Sequence, residues 1–277
     1  MFNLPQSASS INGSAAAGTG VSKALYQKID STVAVNSTTF GASNVTFRWT
    51  LGGNQHWLPS QSFMRVRVSL TQADGTQLTD AKAIAPNMGL CAHLWQNVTF
   101  KIGSTIVSRI DSDVAQVDAL RTRLQKTQSY MEGLGQTLNF WDDSHTTRLQ
   151  SITSDGGGRD LKQFECVWVP PMSIFDVGHA LPGGSYELDL TPNTASIIGK
   201  SVIESLADKV SGTDFKFQVE DCVFYLATVD GPRSSDVSYV LDLREIRVQR
   251  GQVSTSTSTQ QRNFEISPNT ESVTVCF

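Results

Sequence analysis

Apolar residues recur at every second position through several stretches of this chain. In residues 44–51, Val45, Phe47, Trp49 and Leu51 alternate with polar partners. In residues 63–70, Met64, Val66, Val68 and Leu70 alternate with Arg65, Arg67 and Ser69. In residues 185–190, Tyr186, Leu188 and Leu190 oppose Ser185, Glu187 and Asp189. A period of two puts neighbouring side chains on opposite faces of a strand, so each stretch predicts a strand with one buried face. Further strands are expected near Val33 and Val35, at 97–102 and 105–110 around a Gly103-Ser104 turn, at 163–169 and at 245–253. The longest expected strand covers 215–229. There Phe215, Phe217 and Val219 give way to Val223, Tyr225 and Ala227. The interruption of the alternation around Asp221 and Cys222 predicts a bulge. Asp74-Gly75 and Pro182-Gly183-Gly184 read as turns, the second because a fixed φ is followed by free ones.

One stretch follows a different period. Val114, Val117, Leu120, Leu124, Met131 and Leu134 recur at steps suited to a helical stripe, predicting a helix over about 113–134. Asp113 with Gln116 resembles a capping box, and Gly133 and Gly135 stop the helix. Arg121, Arg123 and Lys126 fall off the stripe, on a solvated face or as an anion or partner patch. Short helices are expected within 196–206 and 237–243. Residues 1–30, rich in Ser, Ala and Gly, read as a flexible arm. Gly18, Gly20 and Lys23 lack the spacing of a phosphate-binding loop.

Composition narrows the class. The chain has 277 residues, 39% hydrophobic and 17% charged, below the roughly 25% charged residues of ordinary soluble domains. Ser and Thr make up the difference, which favours β structure and wide contact surfaces. A net charge of −4, and an arm whose only bases are Lys23 and Lys28, exclude a general nucleic-acid binder. No apolar run is long enough for a membrane helix, and Met1-Phe2-Asn3-Leu4-Pro5 does not begin a signal peptide. Cys91, Cys166, Cys222 and Cys276 are scattered singly, predicting buried free thiols over disulfides or zinc.

Candidate chemistry is thin. Trp141-Asp142-Asp143-Ser144-His145 gathers two carboxylates and an imidazole, a set that could serve acid–base or metal chemistry. Adjacent residues rarely converge on one point, and Asp-Asp-Ser is ordinary turn chemistry. His56, His93, His145 and His179 share no metal spacing, and no G-x-S-x-G nucleophile elbow occurs. Asn12, Asn36, Asn44 and Asn97 each begin an N-x-[ST] triplet, for which no glycan is expected without secretion. No catalytic, cofactor or metal set emerges, so the reading is a non-enzyme without cofactors.

The order of these features resembles the N-terminal half of the double jelly-roll major capsid proteins of tailless icosahedral DNA viruses, the adenovirus-hexon-like lineage, with a virophage or polinton-like flavour. The residues that carry it are the 45–51 strand, Trp57-Leu58-Pro59-Ser60 and Asp74-Gly75-Thr76. The 113–134 helix before Trp141-Asp142-Asp143 and Pro170-Pro171 to Phe175 follow. Leu181-Pro182-Gly183-Gly184 and the segment 219–229 complete it.

The resemblance implies a mostly β chain, an antiparallel jelly-roll β-sandwich with one inserted helix. Its expected parts are the arm at 1–30, the sandwich at 31–244, and at 245–277 a linker with the first strand of a second roll. The chain ends on an alternating stretch, 272–277, which reads as an interrupted strand. The implied function is a capsid subunit that forms homotrimers and tiles an icosahedral shell in the virion, assembled inside the host cell. Its implied partners are itself and penton or minor capsid proteins, with no sequence-specific nucleic acid and no transmembrane contact. A minor or vertex protein on the same fold is a further reading. A carbohydrate-binding or glycan-cleaving sandwich is the alternative, motivated by Trp141, Asp142, Asp143, His145 and surface tryptophans.

Within 167–190 the chain is expected to cross between the two sheets of the roll. The long connection 172–180, with apolar Met172, Ile174 and Phe175, is the expected subunit contact. On that placement Ile174→Asp impairs trimerisation more than Tyr186→Phe.

Overall fold

The computed structural model describes residues 24–72, 84–86, 89–130, 133, 135, 163–193, 203–205, 215–231 and 243. The chain divides into two compact units, Met1–Ile246 and Arg247–Phe277, and every described residue belongs to the first.

Eight strands build a sandwich. They are β1 (Ala24–Asp30), β2 (Val45–Thr50), β4 (Phe63–Gln72), β6 (Trp95–Ile102), β7 (Thr105–Asp111), β8 (Gln163–Trp168), β9 (Ser185–Pro192) and β11 (Phe215–Asp230). One sheet has the order β1-β11-β4-β8 and the other β2-β9-β6-β7. The pairs β1·β11, β2·β9, β4·β8 and β6·β7 are all antiparallel. Among the eight, the first strand therefore meets the last, the second the seventh, the third the sixth and the fourth the fifth. A long hairpin wrapped around a barrel gives this order, and that wrapping is the jelly roll. Two short strands, β5 (Ile84–Pro86) and β10 (Ile203–Ser205), pair with each other outside the sandwich. A further short strand, β3 (Gln55–Trp57), extends the first sheet beside β11.

Alternation sets the faces. Val45, Phe47 and Trp49 of β2 lie opposite Leu190, Leu188 and Tyr186 of β9, and all six are buried. Their outward neighbours match across the same register. Thr46 donates to Asp189 at 2.7 Å, Arg48 to Glu187 at 2.5 Å, and the Thr50 and Ser185 hydroxyls meet at 3.2 Å. One face thus supplies burial and the other cross-strand specificity. From the other sheet Met64, Val66, Val68, Phe224 and Leu226 close the core, with Trp49 and Phe224 stacked at 5.1 Å.

The bulge expected in β11 is present. Its register with β4 shifts between Val219 and Asp221. The extra residue returns Cys222, Phe224 and Leu226 to the inner face, all buried. Gly103 closes the β6–β7 turn with φ +60.

A buried hydroxyl completes the first sheet where β4 hands over to β3. Tyr225 pairs with Phe63 and Thr228 with Trp57, leaving the Ala227 amide opposite a 3₁₀ turn at Pro59–Gln61. Ser62 fills that place. Its Oγ accepts from the Ala227 N–H at 3.0 Å and from Trp57 Nε1 at 2.9 Å, and donates to the Leu58 carbonyl at 3.0 Å. Ser62 is fully buried. Ser62→Ala strands two buried donors, so a loss of about 3 kcal/mol is expected in urea unfolding. An unchanged midpoint and slope would show that the hydroxyl is dispensable.

Several sequence expectations need correction. A strand occupies Ala24–Asp30, where the arm was expected to continue, and the strand expected near Val33 and Val35 is absent. Leu25, Gln27 and Ile29 alternate with Tyr26, Lys28 and Asp30, but Gln27 breaks the apolar pattern. Pairing with β11 along all seven residues decides the conformation instead. Ile203–Ser205 is strand, not helix, because it pairs with β5.

The inserted helix, α2, covers Val114–Gln125 and not 113–134, and Asp113 forms no side-chain cap. The chain turns extended at Lys126 and starts a separate turn, Gln128–Tyr130, with the Tyr130 N–H bonded to Thr127 Oγ1 at 3.3 Å. Val114 and Val117 are buried, whereas Leu124 is 69% exposed, so the helix packs through its first turns only. Met131 and Leu134, the Asp74-Gly75 turn, and the stretches 237–243 (apart from Leu243) and 245–277 lie outside the described residues.

Cys91 and Cys166 form a disulfide, whereas four free thiols were expected; Cys222 remains a buried thiol. Cys91 belongs to the single-turn helix α1 (Leu90–His93), which packs against β8 and so brings the two cysteines together.

Candidate assembly surface

The β8-to-β9 crossing carries the residues singled out as a subunit contact. It does pass from one sheet to the other, as expected for 167–190. A 3₁₀ turn at Ser173–Asp176 directs Ile174 and Phe175 inward. Met172, Ile174 and Phe175 are all buried in the protomer's own core, with exposures of 1%, 0% and 2%. Phe175 meets the Trp57 ring edge-on at 5.9 Å. These side chains therefore hold the crossing onto the sandwich and are not available to a neighbour. The period-free apolar run 172–175 had no signal to separate an inward plug from an outward patch.

The crossing is fastened at other points. Trp57 and Leu181 exchange backbone hydrogen bonds at 2.9 and 2.7 Å. The Tyr186 hydroxyl donates to the Pro182 carbonyl at 2.5 Å. Arg121 of α2 pairs with Asp176, tying the helix to the crossing. That contact answers the question left by the helix bases: Arg121 is neither merely solvated nor an anion site. Lys126 lies over the Tyr130 ring at 5.1 Å.

Both outer sheet faces are charged, with their charges paired. On the first sheet Arg65 meets Asp221 at 2.9 Å, and Arg67 meets Glu165 at 2.8 Å. The Glu165 carboxylate holds the Arg67 guanidinium above its ordinary value. Beside them Tyr26, Phe63 and Tyr225 form an aromatic row, with ring separations of 5.9 and 5.1 Å, and Arg65 lies over Tyr225. On the second sheet Glu187 takes Lys101 at 2.6 Å as well as Arg48. The Lys101 hydrogen bond lowers the Glu187 carboxyl, outweighing the opposing effect of burial. Compensated faces of this kind offer no single-sign field for a nucleic acid.

Among the described residues the large exposed apolar side chains are five. Tyr26 is on β1, Ile106 on β7 and Val169 directly after β8, with Val33 just past β1 and Leu124 on α2. Among the described residues the strands β1, β7 and β8 are sheet edges. Edges present unpaired backbone groups, and apolar residues beside them mark a surface suited to another chain.

The alternative chemistry gains no geometry. Trp49, Trp57, Trp95 and Trp168 are buried, so the surface tryptophans expected for sugar stacking are absent at these four positions. Trp141, Asp142, Asp143 and His145 lie outside the described residues. Among the described residues no group of three His, Cys, Asp or Glu is arranged to hold a metal ion, and no helix is long and apolar enough to cross a membrane. Three of the N-x-[ST] asparagines have structural uses. Asn36 accepts from the Thr38 and Thr39 amides, Asn44 donates to Asp189, and Asn97 accepts from the Ser112 amide.

No known protein family and no curated protein matches the sequence. Solved structures do match in fold. A chain of the Sputnik virophage aligns with a TM-score of 0.52 at 15% identity, covering 79% of this chain and 50% of that one. The mavirus major capsid protein aligns at 0.46 and 12%, covering 83% and 51%. The Faustovirus major capsid protein aligns at 0.43 and 9%, covering 80% and 56%. This chain spans about half the length of these solved chains. The Sputnik likeness, together with the strand order, defines the class: a jelly-roll β-sandwich of the kind found in that virophage.

Proposed function

We propose that the chain is a capsid subunit that forms homotrimers and tiles an icosahedral shell of a virion with other capsid proteins, penton or minor proteins among them. The observation that carries this reading is the complete wrapped order of the eight strands, shared in fold with a virophage protein. The edge-strand apolar residues add to it, because assembly would cover them. On the same reading, residues from 245 onward open a second roll, and the protein acts by assembly and not by catalysis.

The contact surface is then the edges and α2, not Met172, Ile174 and Phe175. Ile106→Asp and Leu124→Asp are expected to leave the protomer folded, since both side chains are already more than half exposed. Each is expected to weaken trimer formation about tenfold or more, as loss of a buried interface anchor does. Size-exclusion chromatography with light scattering reads the outcome. Wild-type assembly by both variants would remove these edges from the interface. Negative-stain microscopy of the chain with its partner capsid proteins tests the shell itself.

A further inference from the structure

Four single cysteines predict separate thiols, yet the fold pairs two of them across the sandwich. Cys91 lies in α1, which leads into β6 of the second sheet at Trp95. Cys166 lies within β8, which among the described residues is an edge strand of the first sheet pairing with β4 alone. The bond therefore fastens a strand held on one side only to the entrance of the opposite sheet. Trp95 and Trp168 stack at 6.5 Å beside it. Both cysteines have zero exposure, so no enzyme-sized reductant or oxidant reaches them without local opening.

Cys222 is not placed to bridge Cys166. Cys166 and Cys222 both pair with Val66, from opposite sides. Two strand spacings place their Cα atoms roughly 10 Å apart, beyond the roughly 7 Å limit for a disulfide. Burial also pushes the Cys222 thiol well above its ordinary value, which keeps it protonated and inert. Cys91 and Cys166, with Cα atoms 6.8 Å apart, are the bonded pair, and Cys222 is left as a free buried thiol.

We propose that Cys91 and Cys166 form a redox-gated staple between the sheets: two thiols while the chain folds in a reducing compartment, and one disulfide after the protein meets an oxidising one. The timing rests on the capsid reading, which has the chain made inside a cell, where thiols are kept reduced. The closing oxidant is a small disulfide of the glutathione class, admitted during the local opening that this buried pair requires. One cysteine thiolate attacks it, giving a mixed disulfide and one released thiol. The second cysteine then displaces the other half. Two protein thiols become one disulfide, and the oxidant leaves as two thiols, having taken two electrons and two protons. The staple closes a loop of 75 residues, so it restricts the unfolded chain and hardens the subunit after folding is complete.

The test uses the full chain made in a reducing bacterial cytosol. Alkylation in the intact cells, followed by peptide mass spectrometry, is expected to find Cys91 and Cys166 both modified after denaturation. Incubation of the purified protein with oxidised glutathione is expected to link their peptides and raise the melting temperature by about 10 °C. A reductant added during unfolding abolishes that rise. Cys222→Ala retains the linkage and the rise, and Cys91→Ala loses both. A linkage already present in the reducing cytosol would overturn the gate. Free thiols after oxidation, or a linked protein with an unchanged melting temperature, would overturn the staple. These readouts concern the isolated chain, so a failure to trimerise leaves them intact, and the two ideas fail separately.

Discussion

Ile174→Asp is expected to abolish folding of the protomer itself. Ile174 is fully buried in the turn that plugs the crossing into the core. A carboxylate there has no described cation beside it, and the ion pair of the same turn, Asp176 with Arg121, is already made. Burying an unpaired charge and losing the aliphatic packing together cost about 5 kcal/mol or more. A domain whose whole stability is roughly 5–15 kcal/mol has little left after that. Tyr186→Phe removes the hydroxyl bond to Pro182 and keeps the stacked ring, so it costs about 1 kcal/mol. Circular dichroism of the soluble fraction separates the two. An Ile174→Asp protein that folds with near-wild-type stability and fails only to trimerise would restore that residue to the interface.

Gly183→Ala is the second large effect. A Cβ at Gly183 would stand 2.2 Å from the Gly52 carbonyl oxygen and 2.9 Å from the Leu51 oxygen, both backbone atoms. No flexible side chain can yield, so the end of β2 must move away from the crossing. The Leu51 N–H bond to the Gly184 carbonyl, 2.9 Å, is lost in that movement. The expected cost is about 3 kcal/mol. Gly184→Ala is the control, because its Cβ meets only the Tyr186 ring at 3.8 Å, an ordinary contact. It is expected to change stability by less than about 1 kcal/mol. Equal melting temperatures for the two variants would contradict the close-approach argument.

These two sites show what the sequence made legible and what it did not. Pro182-Gly183-Gly184 was readable as a turn, but the reason offered was free φ. The structure's reason at Gly183 is space, set by Gly52, a residue 131 positions away just past the end of β2. Faces were readable wherever one side of a strand is buried, as in β2, β4 and β9, since period two is a local property. The β11 bulge was readable from the interruption at Asp221, but its consequence was not: Val223, Tyr225 and Ala227 keep the parity of Val219, whereas Cys222, Phe224 and Leu226 are the residues turned to the core. The wrapped pairing of first strand with last is non-local, and only the family resemblance anticipated it. Ser62 was invisible because nothing nearby shows that a hydroxyl will stand in for a backbone carbonyl. Met172, Ile174 and Phe175 were visible as apolar, yet which way they point depends on a 3₁₀ turn docked between two sheets. Leu124 misled in the opposite sense, since α2 ends before its stripe can be used.

The proposed contact surface follows from that correction. The crossing is a structural plug, and the apolar residues left for a partner are on edge strands and α2. The most direct measurement is native mass spectrometry of the purified full chain across a concentration series. The account predicts a species of three chains that grows with concentration and is reduced in Ile106→Asp and Leu124→Asp. A protein that stays a single chain at every concentration, alone and with its partner capsid proteins, would contradict it.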